Sequence, residues 1–600
     1  MTNIPTKPKF NRFELLSRLG SGMHGRVYLA WDPQLERKVA LKVLTVDRDS
    51  SASLDQFMSE ARAVAKVAHP HVIPLFDAGN ERGVPYLVFE YVPGQVLKEQ
   101  IRGKAFEVPA ALGMMAQILD GVGAAHALQI AHLDLSPNNI LADQQGRLRV
   151  MDFGLARWVR RERAANVDEI QGTPRYMSPE HFLSGRLSLR TDVFALGLIF
   201  YELLTGGPAF EAQKFSLLRQ CIEDAQLDWS KLHDRKVPPE VIAVIRDAVA
   251  RDPKTRFSDA GEMLAMLRDA QLAQSARENQ DLAVQFLLRR LQRRPEFPAF
   301  SNSIAEINRL TSDDSTAGLQ QLSAVVMRDF SLANRLMKVA NSAFFDRGAG
   351  GATTVMQAIQ RVGTKTLRML CNGLLMFEHL KSDNPALQDA LVSSFVAGLL
   401  GRGLAAKLRK ELTDEVFVSA MFNRLGRNLV IYYLREEHEE IARLLTTGTP
   451  ENEAERRVLA TTSAAVGAAI AAAWKFPPEL IATMLPLPSG ELPPAHHGPE
   501  FHRYFAHFPN ELCALAATPN GGDPTLALSA ISQRYQHVLQ APPEVLAGLL
   551  QQALDKFSEL APTLGIARAT SGFCQRLEHF LAAVAESVGE QTTESALTPA

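Results

Sequence analysis

Asp134, Asn139 and Asp152 are the residues whose types and spacing could do chemistry. They stand in His132-Leu-Asp-Leu-Ser136-Pro-Asn-Asn139 and, after a β-like run Arg147-Leu-Arg-Val-Met151, in Asp152-Phe153-Gly154. The second and third lie 5 and 18 residues beyond the first, which suits a tight loop followed by a short hairpin. Phosphoryl transfer asks for such a set: a carboxylate to accept a hydroxyl proton, and oxygen-rich ligands to hold magnesium against phosphates. Upstream, Gly20-Ser-Gly22-Met-His-Gly25-Arg-Val27 supplies glycines where a backbone must approach phosphate oxygens and adopt conformations that a Cβ forbids. Dinucleotide-binding turns share that pattern, but there a helix follows and here a strand does.

Phe13 to Val46 reads as three β-segments joined by glycines. Alternation in Val39-Ala-Leu-Lys42-Val-Leu puts Ala40 and Lys42 on one face and Val39, Leu41 and Val43 on the other. Ser53-Leu-Asp-Gln56 reads as a capping box opening a helix, with the apolar stripe Leu54, Phe57, Ala61, Val64 and Ala68. Glu60 projects from the buried edge of that stripe, where a carboxylate needs a partner, and Lys42 is the candidate; the alternative is a solvated helix residue. Val84 to Gly94 reads as a buried strand ending in a glycine-marked break, and Asp192 opens a mostly apolar helix that belongs in a core.

As an ordered set, these stretches resemble the eukaryotic-like serine/threonine protein kinases of bacteria, over roughly Phe13 to Leu267. The resemblance implies an α+β bilobal protein kinase fold that uses ATP and Mg2+. Asp134 is then the proton acceptor, and Asn139 and Asp152 the metal ligands. Lys42 with Glu60 grips the phosphates, and the turn of Gly20, Ser21, Gly22, Met23, His24, Gly25 and Val27 covers them. Ala40 lines the adenine pocket, Phe89 stands at the gatekeeper position, backbone groups of Glu90 and Val92 pair with adenine, and Leu141 forms the floor. Gly172-Thr173-Pro-Arg-Tyr-Met-Ser-Pro-Glu180 resembles the substrate-facing segment and Ala-Pro-Glu signature, with Ser178 in the alanine position. Arg256 is then the partner of Glu180, and Asp192 the brace of the catalytic loop.

Two positions depart from that family. Leu133 replaces the usual Arg, and Ser136 the usual Lys. The Arg receives an activation-loop phosphate where it is present, yet Leu155 to Gln171 contains no serine, threonine or tyrosine, and the first hydroxyl is Thr173. The two losses agree, so activity is expected not to need phosphorylation of that loop. Ser136 can only donate a hydrogen bond, linking Thr173 to Asp134. The lost positive donor costs ~2 to 4 kcal/mol of transition-state stabilisation, which makes a slower kinase. The alternative, an ATP-binding pseudokinase scaffold, has Leu133 and Ser136 as its support.

From Pro295 the pattern is helix after helix. Leu322 to Phe344, with Ala340-Asn341-Ser342, and Ala358-Ile-Gln-Arg-Val-Gly363 resemble the HD-related output domain (HDOD), an all-α helical module of bacterial signalling proteins. A metal phosphohydrolase of the wider HD group needs adjacent His and Asp. Here Asn423 and Arg424 stand instead, so no metal is expected in this half, and His496 and His497 read as exposed loop residues. The expected organisation is an N-terminal extension 1–12, a kinase domain 13–270, a linker 271–286, an HDOD domain 287–488, a helical extension 489–588 and a disordered tail 589–600.

Length and composition agree with this division. The 600 residues exceed one core. A hydrophobic share of 46% and a charged share of 22% are ordinary for globular protein. A net charge of −2 offers no general attraction to nucleic acid or anionic membrane. Four scattered cysteines suit a reducing cytoplasm. Met1 to Lys9 lacks the apolar core of a signal peptide, and the apolar windows Val193–Tyr201 and Ala464–Trp474 are too short to span a bilayer. The expected partners are a protein substrate offering a serine or threonine hydroxyl and a protein bound through the HDOD half, with no nucleic acid and no membrane.

Overall fold

A computed structural model of the chain describes residues 8–22, 25–44, 51–153, 174–183, 186–212, 214–225, 227–275, 280–294, 297, 305–307, 309–310, 319–328, 333, 336–337, 352–363, 371, 384–495, 498–517, 523–539, 542–564 and 571–595. The chain divides into two compact units, Met1–Leu282 and Ala283–Ala600.

The first unit opens with a six-stranded antiparallel sheet. Its strands are β1 (Lys9–Phe10), β2 (Phe13–Gly22), β3 (Gly25–Asp32), β4 (Arg37–Leu44), β5 (Leu75–Glu81) and β6 (Val84–Glu90), in the order β1-β2-β3-β4-β6-β5. The alternation read in β4 is realised. Val39 and Leu41 pack with Phe13, Ala30, Tyr86 and Val88 on one face. On the other, Ala40 packs against Leu44, Phe57, Leu87 and Phe89. That second cluster is closed by helix α1 (Ser51–Val64) through Phe57 and Ala61. The helix begins two residues before the expected capping box, so Ser53 lies inside it rather than at its N-cap.

Below this sheet, β7 (Gly94–Val96), β8 (Ile140–Asp143) and β9 (Leu148–Val150) form a second, three-stranded sheet. Helices α2 (Val108–Ala127), α3 (Leu189–Thr205), α4 (Pro239–Ala248) and α5 (Ala260–Ser275) pack with one another beside it. An unbroken run of α3 from Thr191 to Leu204 is buried, as a helix apolar on all sides must be. Ser188 caps its start, with the hydroxyl accepting from Arg190 N–H, and Gly206 ends it at φ 80°. A Cβ on Gly206 would sit 2.7 Å from Ala105 N, so both conformation and space require glycine there.

Most of the expected linker 271–286 is helical, in the end of α5 and in α6 (Gln280–Gln292). The second unit is built around α7 (Pro385–Leu408). Against it pack α8 (Thr413–Phe422), α9 (Leu425–Tyr433), α13 (Gly498–Ala517), α14 (Pro543–Leu564) and α15 (Gly572–Ser595). Between them in sequence run α10 (Arg435–Thr446), α11 (Glu451–Leu459) and α12 (Ser463–Ala473). Ala358 and Ile359 are fully buried on a helix that ends at Gly363, whereas Ala340, Asn341 and Ser342 lie outside the described residues. The tail expected to be disordered from 589 is helical to Ser595. Two described helices, α2 and α7, are long and apolar enough to cross a membrane by length and composition, which corrects the two shorter windows named from sequence. Both pack against neighbouring helices of their own units.

Candidate active site

Asp192, near the start of α3, organises the site. Its carboxylate is 1% exposed and accepts from His132 N–H at 2.6 Å and Leu133 N–H at 2.7 Å. A third donor is His126 Nε2 at 2.9 Å. Ala260 N–H donates to His126 Nδ1, so the ring proton is on Nε2 and points at Asp192. Two amides gripped by one carboxylate hold Leu133 at φ 66°, a conformation that non-glycine residues rarely adopt. The Leu133 side chain is buried and lines a small cavity with Tyr176, Met177 and His181.

The loop turned by this brace presents its chemistry in one direction. Asn139 Nδ2 donates to Asp134 O at 2.6 Å and to Asp134 Oδ2 at 3.2 Å, fixing the carboxylate. With its NH2 so used, the Asn139 amide keeps its carbonyl oxygen for another partner. Met151 N–H donates to Asn139 O at 3.0 Å, and His132 Nε2 meets Met151 O at 2.8 Å. These bonds lock Asp152, at φ 68°, to the loop that carries Asp134 and Asn139. Phe153 packs against His132 in a tilted arrangement, with ring centroids 4.8 Å apart.

The strand lysine arrives from above. Lys42 Nζ lies 2.8 Å from Asp152 Oδ2. The expected Lys42–Glu60 pair is therefore replaced by Lys42–Asp152. Glu60 instead accepts from Gln56 Nε2 at 3.1 Å, and its Oε2 is buried with no partner among the described residues. Both belong to α1, and the rotation and depth of that helix decide which carboxylate reaches Lys42.

Beside Lys42, Ala40, Phe89, Val92, Leu141 and Met151 converge in one apolar cluster, so the residues expected to line the adenine pocket share a site. Glu90 is tied by its carboxylate to Arg149 at 2.7 Å. Val27 is the cross-strand neighbour of Lys42, and Gly22 pairs with Gly25 where the glycine turn closes. Gly25 has φ 142°, and a Cβ there would sit 2.1 Å from Val43 O. Gly20 and Ser21 pair with Val27 and Arg26 in the same ladder. Met23, His24, Gly154 and Thr173 lie outside the described residues. Ser136 is fully buried, and its Oγ has no partner among the described residues, so no bond to Asp134 forms there.

Farther from the centre, Arg256 grips Glu180 at 2.9 and 3.0 Å in a buried bidentate pair, as the sequence implied. Burial pushes the Glu180 carboxyl up, but the Arg256 hydrogen bonds and charge outweigh it and hold it below the ordinary carboxylate value. Three site features escaped sequence reasoning: His126, Arg149, and Glu202 with its partners Tyr176 and Lys98. His126 sits six residues before His132, the only sequence signal that could have flagged it.

In the second unit Asn423 Nδ2 donates to Thr483 O at 2.5 Å. Among the described residues, no three His, Cys, Asp or Glu side chains gather as a metal-binding group.

The oxygen donors in the first unit fit magnesium, which takes carboxylate and carbonyl oxygens and no softer ligand. The chain's own atoms that suit it are one Asp152 carboxylate and the Asn139 carbonyl.

Residues 13–268 match the family model of the protein kinase domain, and residues 297–486 match that of the HDOD domain. Serine/threonine-protein kinase PrkC of Bacillus subtilis is 34% identical over 43% of this chain and 40% of its own length. Serine/threonine-protein kinase PknL of Mycobacterium bovis is 32% identical over 43% of this chain and 65% of its length. Serine/threonine-protein kinase PknB of Mycolicibacterium smegmatis is 34% identical over 43% of this chain and 42% of its length. The match therefore spans less than two thirds of each of these relatives.

Proposed function

We propose that this chain, a protein kinase domain joined to an HDOD domain, transfers the terminal phosphoryl group of ATP to serine or threonine hydroxyls of protein substrates in bacterial signal transduction. The observation that carries this reading is the single framework that joins Asp134, Asn139, Asp152 and Lys42 through the Asp134–Asn139, Asn139–Met151 and Asp152–Lys42 bonds. Magnesium bound at Asn139 and Asp152 would neutralise phosphate charge. Asp134, held by Asn139, orients the substrate hydroxyl and accepts its proton on a carboxylate oxygen. Lys42 supplies a fixed positive charge to the phosphates from a strand whose neighbours, Ala40 and Phe89, exclude water on the adenine side. Asp192 keeps the loop in its strained turn, so no reorganisation is needed when substrate arrives. The HDOD unit serves as a regulatory or partner-binding module, and the whole acts in the cytoplasm.

The test is transfer of radiolabelled phosphate from ATP to the protein itself and to a generic protein substrate. Asp134→Asn is expected to lower incorporation by about 10² to 10⁴-fold, the range for a lost general base. Equal incorporation by wild type and variant defeats the reading.

A further inference from the structure

Arg424, singled out in the sequence only because it would repel a metal, lines a cavity of about 680 Å³ in the second unit. Two further arginines line it, and each already has a partner. Arg427 pairs with Glu451 at 2.7 Å, and Arg576 with Asp389 at 2.9 Å. Arg424 has no hydrogen bond or ion pair among the described residues, so the lining holds one positive charge more than its carboxylates balance. Burial, then the neighbouring Arg427, lowers the Arg424 pKa, and the more distant carboxylates of Glu451 and Glu511, each hydrogen-bonded to another residue, offset this only in part. Asn428, also in the lining, is 1% exposed and leaves its Oδ1 unpartnered. His438 has its pKa lowered, by burial first and by Arg427 next, and so adds a neutral ring rather than a charge.

A half-buried guanidinium that lines a cavity and has no carboxylate hydrogen-bonded to it can take its counter-charge from an anion in that cavity. We infer that this cavity of the HDOD unit binds a small organic molecule through a phosphoryl group held by Arg424. Three arguments fix the class. The volume falls in the range of small-molecule sites and far exceeds a bare ion. Ile431, Leu445 and Phe573 give the lining an apolar side for an organic body. A phosphoryl group also offers three oxygens to the guanidinium fork of Arg424, where a carboxylate offers two. The inference concerns the second unit alone and stands whether or not the first transfers phosphate.

The experiment is titration calorimetry on the full chain in magnesium-free buffer, with inorganic pyrophosphate as probe and citrate as carboxylate control. Wild type and Lys42→Met, which blocks the phosphate position of the first unit, are expected to bind pyrophosphate alike and citrate weakly. Arg424→Gln is expected to weaken pyrophosphate binding at least about tenfold, while the Tm of its unliganded form stays level or rises because an unpaired charge is gone. Arg424→Lys, which keeps the charge without the fork, is expected to fall between. Absence of saturable binding, binding lost in Lys42→Met and kept in Arg424→Gln, or citrate equal to pyrophosphate each overturns the inference. A lower Tm in Arg424→Gln with full binding in Arg424→Gln and Arg424→Lys overturns it too, by making Arg424 structural.

Discussion

Ser136 separates stability from catalysis at a single atom. Its hydroxyl is buried and has no partner among the described residues, and an unsatisfied buried polar group costs ~1 to 3 kcal/mol. Ser136→Ala is therefore expected to stabilise the first unit by about 1 kcal/mol in denaturant unfolding, and, under the proposed function, to slow phosphate transfer, since this hydroxyl stands where the resemblance places a lysine. A stability loss in that variant would show the hydroxyl already satisfied. At this scale the sequence was informative wherever a residue's job is local. Asp134 and Asn139 are five apart and meet directly, and Arg256 with Glu180 follows from motif order. It failed where distance in the chain hides proximity. His126 meets Asp192 only after α2 packs on α3. Lys42 finds Asp152 rather than Glu60 because helical periodicity gives the face of α1 but not its position against the sheet.

Elements in this chain approach one another through glycine, and those approaches set which helices can pair. A Cβ on Gly426 of α9 would lie 1.8 Å from Ser463 O of α12, and 2.7 Å from Gly467 N. Backbone atoms cannot step aside as a side-chain end can, so Gly426→Ala must open the crossing. Overpacking in a well-packed core costs typically ~1 to 3 kcal/mol, and here the upper end is expected. Gly403, in α7, has nothing within 4 Å of a built Cβ. Gly403→Ala is expected to stabilise the same unit by about 0.5 to 1 kcal/mol through helix propensity alone. Denaturant unfolding of the second unit reads both, and equal signs for the two variants would refute the argument. Nothing in the sequence shows that Gly426 and Gly467, 41 residues apart, face each other, because that depends on two helices crossing at one point.

The whole molecule reduces to two cores with separate chemistry. The first unit buries a sheet–helix core and the second a helical one, and the division at Leu282–Ala283 falls within α6. Composition and length gave the sequence this division, since 600 residues cannot share one core. The division at Leu282–Ala283 falls inside the stretch 271–286 read as the linker, most of which is helical. Two cores imply two cooperative transitions in calorimetry of the full chain, and a ligand stabilises only the unit that binds it, by ~2.7 kcal/mol at a hundred times its Kd. A non-hydrolysable ATP analogue with Mg2+ is expected to raise one transition, and pyrophosphate without metal the other. Asp152→Asn should erase the first shift and leave the second, with Arg424→Gln doing the reverse. A single transition raised by both ligands would mean that the two cores unfold as one.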